Sequence, residues 1–398
     1  MKRLRMLIVT QALGYGIGGS EKALIEMLKA IDVEAYDVTV LSLTEAPEKP
    51  FFHKNIKIIY GCKDFLKIHT SCSSVLKSSS YTLSQKLIKI YLSVYTRFHK
   101  GDFSKQLWNT YKKYINNYPL CYDVAIGYGV GFATYYVADK VNARLKIGWL
   151  NTSLADAHLD LDYCRKYYES LDVVIADSQS GVKRFADLYT DFTKPVYCVR
   201  NLLDYNELRA RAEEGDSFED DYDGIRILSV GRLTEAKAFH LAVDAAAILY
   251  NKGYKFKWYI VGFGSLENQL QQQIKENNIS DSFILLGPRT NPYPFFKDCD
   301  IYVQTSIFEG SCITIEEAMA FSKPIVSTNF SAAYEKIIDG KNGLITKMEA
   351  ESIASGVEKL LRNPEVMKSF IDYQKKFPLS YENEMKKFYD IVNENIKL

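Results

Sequence analysis

Net charge, paired cysteines and long apolar runs are all scarce in this chain, and each scarcity excludes a class of function. Fifty Lys and Arg against 49 Asp and Glu leave a formal charge of +1, whereas whole-surface binding to nucleic acid needs a basic excess. Any basic function is therefore local. The seven cysteines (Cys62, Cys72, Cys121, Cys164, Cys198, Cys299 and Cys312) are odd in number and form no C-x-x-C pair. That pattern argues against a disulfide framework or a zinc site and predicts reduced thiols in a cytoplasmic protein. No apolar run approaches the roughly 18 residues of a spanning helix. The start, MKRLRMLIVT, has basic residues and then an apolar stretch too short for a signal peptide, so a first strand is expected there.

What the chain does have is a globular composition, 47% hydrophobic and 25% charged over 398 residues, a length that suits two domains. Residues 6–10 are a continuous apolar run, 11–20 a loop holding Gly14, Gly16, Gly18 and Gly19, and 21–31 have apolar residues at helical spacing. Strand, glycine-rich loop and helix, with Ser20 as the expected cap, open a parallel α/β sheet. Further strands are expected at 36–43, 56–60, 123–128, 145–150, 173–178 and 196–199. Residues 207–223 are polar, acidic and without periodicity, which marks the boundary between domains. A second α/β series then runs from residue 225, with strands at 225–230, 256–261, 283–286, 301–304 and 325–328.

One segment breaks the alternation. Between 85 and 118 the chain carries seven Lys or Arg and a single acidic residue, Asp102, among many aromatics. Such a face suits either solvent or an anionic membrane surface.

Chemistry concentrates in the second half. Residues 308–329 read FEGSCITIEEAMAFSKPIVSTN, with Glu309 in a small-residue loop and Glu317 eight residues on in a helical stretch. A loop entering a helix at Ser311, Cys312, Ile313 and Thr314 offers backbone N–H groups and the positive end of the helix dipole to a phosphate. Carboxylates beside such a seat suit sugar or ribose hydroxyls, because an ionised carboxylate only accepts hydrogen bonds. Arg232 and Lys237 follow the first strand of this half, and Gly262 follows the second. Arg232, Gly262 and Glu309 thus all fall beyond strand C-termini, where parallel sheets bind ligands. A lone Glu at a helix start, or a lone surface cation, needs no ligand to explain it; their convergence on one rim carries the weight.

With these residues placed, the chain resembles the retaining glycosyltransferases of family 4, most clearly over residues 225–346. Glu309 and Glu317 match the family's E-x7-E, residues 231–237 its GRL-x3-K, residues 262–264 its G-x-G turn, residues 323–329 its post-helix strand and residues 339–345 its D-G-x-N-G-L. Gly18 and Gly19 resemble its N-domain G-G-x-E turn. The resemblance implies a GT-B fold of two facing Rossmann-like domains with a cleft between them. It implies an acceptor-binding domain over 1–203, a sugar-nucleotide domain over 204–378, and a terminal helix over 379–398 returning to the first domain. Arg232 and Lys237 would neutralise the diphosphate, Glu317 would hold the ribose, Glu309 would contact the donor sugar, and Gly18 and Gly19 would close over the diphosphate. Gly262, residues 311–314 and Asn151 complete the expected donor set. No metal or other cofactor is expected.

The implied activity is transfer of a sugar from a nucleotide-sugar, with a UDP-sugar the first expectation, to a glycan, lipid-linked or polymeric acceptor in surface polysaccharide synthesis, on or near the cytoplasmic face of a membrane. Same-face displacement and double displacement both remain open. Two departures stand out: Asn151 follows Trp149-Leu150 where a His is common, with His158 nearby, and Ser311-Cys312 replaces a common Phe-Gly. Cys312 has no adjacent basic residue to activate it as a nucleophile. A catalytically silent GT-B partner protein and a GT-B sugar-nucleotide epimerase are the alternatives, although an epimerase needs more proton-transfer groups than five scattered histidines supply.

Overall fold

A computed structural model describes residues 3–13, 19–43, 54–60, 103–155, 157, 159–378 and 383–396, with positions 86, 87, 90, 91 and 94. Gly18 and His158 lie outside the described residues, as does much of the basic 85–118 segment.

The chain divides into two compact units, one of Met1–Leu202 with Tyr381–Leu398 and one of Leu203–Ser380. In the first, β1 (Leu4–Thr10), β2 (Tyr36–Ser42), β3 (Lys57–Tyr60), β4 (Cys121–Tyr128), β5 (Asn142–Leu150), β6 (Val173–Ala176) and β7 (Val196–Cys198) form a parallel sheet in the order β3-β2-β1-β4-β5-β6-β7. Its central strands are buried on both faces; β1 holds Met6, Leu7, Ile8 and Val9 at 0% exposure, as expected when helices cover both sides of a parallel sheet. The first helix, Gly19–Ala30, begins one residue before Ser20, so Ser20 lies inside it and is not its cap. The helix Glu384–Asn395 buries Phe388, Ile391 and Val392 in the same core.

The second unit repeats the plan. Here β8 (Ile225–Val230), β9 (Phe256–Val261), β10 (Phe283–Gly287), β11 (Ile301–Gln304), β12 (Ile325–Thr328) and β13 (Leu344–Thr346) pair in parallel in the order β10-β9-β8-β11-β12-β13. Strand order reverses between β8 and β11, and the crevice outside the strand ends at such a reversal is the usual ligand site of an open α/β sheet. The helix Phe239–Asn251 packs its alanines, Ala242, Ala245 and Ala246, against the sheet. The polar stretch expected to be irregular from 207 contains a helix, Tyr205–Ala212; Asp204 caps it by accepting from the N–H groups of Asn206 and Glu207. Its two turns bury only Leu208 and Ala212, too few for a periodic signal.

Candidate functional site

Three loops converge at the C-terminal ends of β8, β9 and β11. Gly262 approaches the first loop so closely that a Cβ there would lie 1.8 Å from the Gly231 carbonyl oxygen, and one on Gly264 would lie 2.3 Å from that of Leu233. Glycine at these positions therefore lets the two loops interlock, with Leu233 N–H donating to the Phe263 carbonyl at 2.9 Å. Gly231 serves a second purpose: a Cβ there would meet Cε of Lys237 at 2.9 Å. The lysine stem lies across bare backbone and carries its ammonium to Glu309.

Lys237 Nζ donates to Glu309 Oε1 at 2.5 Å, both side chains being about one-sixth exposed (15% and 16%). Burial alone would lower the lysine pKa, but the Glu309 carboxylate outweighs it and the net shift is upward, so the ammonium is retained. The loop is pinned from beneath by Thr305 Oγ1 donating to the Lys237 carbonyl at 2.8 Å and by Ile307 N–H donating to that of Ala236 at 2.9 Å. Arg232 is exposed on the same rim and makes no ion pair among the described residues.

Glu309 leads into the helix Ile313–Ala320, whose entry residue Cys312 sits at φ 53°, ψ 63°. This is the left-handed region, uncommon for a residue with a Cβ. The common glycine at this position thus has a conformational cause, and Cys312 bears the strain. Burial, with Glu309 nearby, pushes the Cys312 thiol up to about 12, which leaves it a protonated core group. The helix ends at Ala320, short of Lys323-Pro324, because Ser322 turns to φ 53°.

That helix is buried on nearly every side, including two consecutive glutamates, Glu316 and Glu317. Each has a partner. Glu317 accepts from Tyr293 Oη at 3.1 Å, beneath the cation–π contact of Arg211 with that ring. Glu316 is ion-paired with Lys336, and the lysine also donates to Ser311 Oγ at 3.2 Å. The D-G-x-N-G-L stretch fixes this lysine: Asn342 Nδ2 donates to the Lys336 carbonyl at 2.9 Å, and Asn342 Oδ1 accepts from Ile338 N–H at 2.7 Å.

The second unit thus brings together Arg232, Lys237, Gly262, Glu309, Ser311, Cys312, Ile313, Thr314 and Glu317. Gly19 and Asn151 belong to the first unit, Asn151 following β5 beside Gly129, where a Cβ would meet its Nδ2 at 3.3 Å. Lys336, Tyr293, Gln304 and Ser306 escaped sequence reasoning. The signal for Lys336 was weak: adjacent glutamates can share one face of a helix, and only their apolar neighbours Ile315, Ala318 and Met319 pointed to a buried pair that needs a cation. Among the described residues, no group of His, Cys, Asp and Glu could hold a metal ion.

Comparison with known proteins points the same way. Residues 211–377 match the family model described as glycosyl transferases group 1. Over 205 residues the chain is 28% identical to the N-acetylgalactosamine-N,N'-diacetylbacillosaminyl-diphospho-undecaprenol 4-alpha-N-acetylgalactosaminyltransferase of Campylobacter jejuni, covering 51% of this chain and 54% of that protein. It is 34% identical over 140 residues to the amylovoran biosynthesis glycosyltransferase AmsK of Erwinia amylovora, covering 33% and 34%. The matches thus span about half or less of these relatives' length. Nearly the whole chain superposes on solved structures: 98% of it on Anabaena HepE in complex with UDP and glucose (TM-score 0.68, 16% identity) and 98% on S. aureus TarM in complex with UDP (TM-score 0.69, 15% identity), in each case covering 100% of the other chain. At that identity the likeness shows the fold, which is GT-B: two α/β units, each on a parallel sheet.

Proposed function

We propose that the chain is a retaining glycosyltransferase that takes a sugar from a nucleotide-sugar, with a UDP-sugar as the first choice, and transfers it to a glycan or lipid-linked acceptor in surface polysaccharide synthesis. The carrying observation is the convergence of Arg232, Lys237 and Glu309 at the β8/β11 reversal, beside the start of a helix that also bears Glu317. The match of residues 211–377 to a glycosyltransferase family model supports it, as do the similarity to an amylovoran biosynthesis glycosyltransferase and to a galactosaminyltransferase acting on a diphospho-undecaprenol glycan, and the UDP bound to HepE and TarM.

In this reading the C1–O bond to the diphosphate breaks and a C1–O bond to an acceptor hydroxyl forms. Negative charge grows on the departing diphosphate, where Arg232, Lys237 and the N–H groups opening the Ile313–Ala320 helix lower the barrier. The acceptor's proton leaves with that phosphate. Glu317 takes the ribose hydroxyls, exchanging its bond from Tyr293, and Glu309 faces the sugar. The first unit takes the acceptor. The two cations do the work of a divalent ion, so turnover in excess EDTA is expected.

A panel of UDP-, GDP- and ADP-sugars tests the reading by thermal shift and donor hydrolysis. A donor-specific shift, rising with ligand excess over its Kd, and hydrolysis of that donor are expected. A shift without hydrolysis would turn the reading into a silent binding protein; no shift with any donor overturns it.

Contact with an anionic membrane is a separate part of the proposal. Leu87, Ile90, Tyr91 and Val94 are helical and 39–59% exposed, at the i, i+3, i+4, i+7 spacing of one face, inside the basic 85–118 segment. Of the described cations there, Lys105 and Lys112 pair with Asp160 and Asp139; the apolar stripe would enter the headgroup layer while the segment's basic excess draws it to anionic lipid. Flotation with vesicles containing phosphatidylserine is expected to retain the protein and to release L87E/Y91E. Equal retention of both overturns this part.

A further inference from the structure

Beneath Glu309 lies a buried chain of neutral hydrogen bonds that the proposed chemistry does not use. Gln304, the last residue of β11, is 1% exposed. Its Oε1 accepts from Tyr302 Oη at 2.6 Å and from Thr314 Oγ1 at 3.0 Å. Its Nε2 donates to Ser306 Oγ at 2.6 Å and to Glu309 Oε1 at 3.3 Å, and Ser306 Oγ donates to the same carboxylate oxygen at 2.6 Å. Each link has one sensible direction. Flipping the amide would set its oxygen against the carboxylate and against a serine oxygen whose proton is already committed to Glu309. Tyr302 is fully buried, and burial raises its pKa well above the ordinary value, so its hydroxyl stays a donor. Thr314, expected from sequence to face the donor, turns its hydroxyl inward to this amide.

We infer that Gln304 is a positioning residue for Glu309, acting through its amide as oriented by Tyr302 and Thr314. The inference rests on the glycosyl-transfer reading for its consequence, not for its geometry. Glu309 Oε1 takes three donors, one charged and two neutral. If Lys237 turns from Glu309 to a diphosphate, the bonds from Gln304 and Ser306 remain, and the carboxylate keeps its place while its cationic partner changes. A buried network of this kind orients a group only while every member is satisfied, so replacing Gln304 by leucine, which has no amide, releases Glu309 and strands the Tyr302 hydroxyl.

The test is Q304L, with T314V as the milder variant should Q304L fold poorly, each alone and with E309A. Donor turnover by Q304L is expected to fall about tenfold to a hundredfold in kcat, the scale of a misplaced reacting group, with UDP affinity by calorimetry within about twofold. A structural defect would move both. Because Gln304 acts through Glu309, E309A/Q304L is expected to be no slower than E309A; additive losses overturn the inference. Should the wild type turn over no donor, the glycosyl-transfer reading fails, yet the crystal structure of Q304L still decides the positioning role. A Glu309 carboxylate displaced from Ser306 upholds it, and an unmoved one overturns it.

Discussion

Lys237 and Glu309 are joined at 2.5 Å, so the cation best placed to meet a phosphate is also the partner of the carboxylate proposed to face the sugar. Two opposite charges that share a site set each other's protonation. For Lys237 the burial that lowers its pKa is outweighed chiefly by Glu309. E309A keeps the burial and removes the compensation, so the lysine pKa falls. An ammonium binds phosphate only below its pKa, hence binding is lost as pH rises through it, and the loss begins at lower pH in the variant. UDP affinity measured from about pH 7.5 to 9, above the second ionisation of a terminal phosphate near 6, is expected to be flat in the wild type and to decline on the alkaline side in E309A, because an ordinary lysine titrates near 10.4. Parallel profiles would show that Glu309 does not hold the charge on Lys237.

The Lys336–Glu316 pair has side chains only 7% and 3% exposed. A buried pair adds little net stability over an apolar replacement, but removing one member leaves a buried charge alone, at about 3–5 kcal/mol. K336A is therefore expected to lower unfolding free energy in urea by about that amount, while K336M/E316M recovers most of it. The double variant should nevertheless lose donor turnover, because Lys336 also holds Ser311 in the loop that follows Glu309. Full activity in a stable K336M/E316M protein would make the pair purely structural.

Much of this was legible beforehand, for identifiable reasons. Every strand but β13 was expected, because parallel strands covered on both faces are continuous apolar runs, whereas the three residues of β13 (Leu344–Thr346) are too few to show one; the glycine turns stood out because loops that interlock at 1.8 Å from a hypothetical Cβ tolerate nothing else. Glu309 and Lys237 were found by chain order on one rim. Gln304 was not, since a glutamine ending a strand carries no periodic signal and its four partners come from three segments. Tyr293 was missed similarly, being 24 residues from Glu317 in the chain. The helix Tyr205–Ala212 was hidden because it buries only Leu208 and Ala212, and the positive φ at Cys312 by a cysteine standing where a glycine is common.

Cys312 makes that strain measurable. A residue with a Cβ at φ 53° costs about 1–2 kcal/mol relative to glycine, partly offset by the thiol's burial. C312G is expected to match the wild type in stability within about 1 kcal/mol, whereas C312V, β-branched and poorly suited to this region, loses about 2 kcal/mol or more. Both Cys312 and Cys299 are pushed up to about 12 from 9.0, burial being the leading cause in each. A thiol protonated in the fold and ionised in the unfolded chain contributes stability that is intact below about pH 9 and is lost as pH rises toward 12. C299A/C312G should therefore show a shallower alkaline decline in urea unfolding than the wild type; identical slopes would assign that decline to the tyrosines alone.

The terminal helix Glu384–Asn395 is a working part of the first unit. Phe388 is fully buried with its ring centroid 6.0 Å from that of Trp149, Tyr389 stacks on Tyr36 at 5.4 Å, and Tyr389 Oη accepts from Asp32 N–H at 2.8 Å. Glu384 accepts from Arg200 N–H at 3.0 Å, tying the helix to the chain just before the unit ends at Leu202. Cutting Phe388 to alanine leaves a cavity in this core at about 3–5 kcal/mol, and deleting 383–398 uncovers the face of Trp149 that Phe388 covers while its contact with Tyr128 remains. F388A is expected to unfold the first unit at lower urea without moving the second. The deletion is expected to shift Trp149 emission to the red, read in a W108F/W258F background. A truncated protein with unshifted emission and unchanged urea midpoint would show that the helix only rests on the unit, and that its buried aromatic contacts add nothing to holding it together.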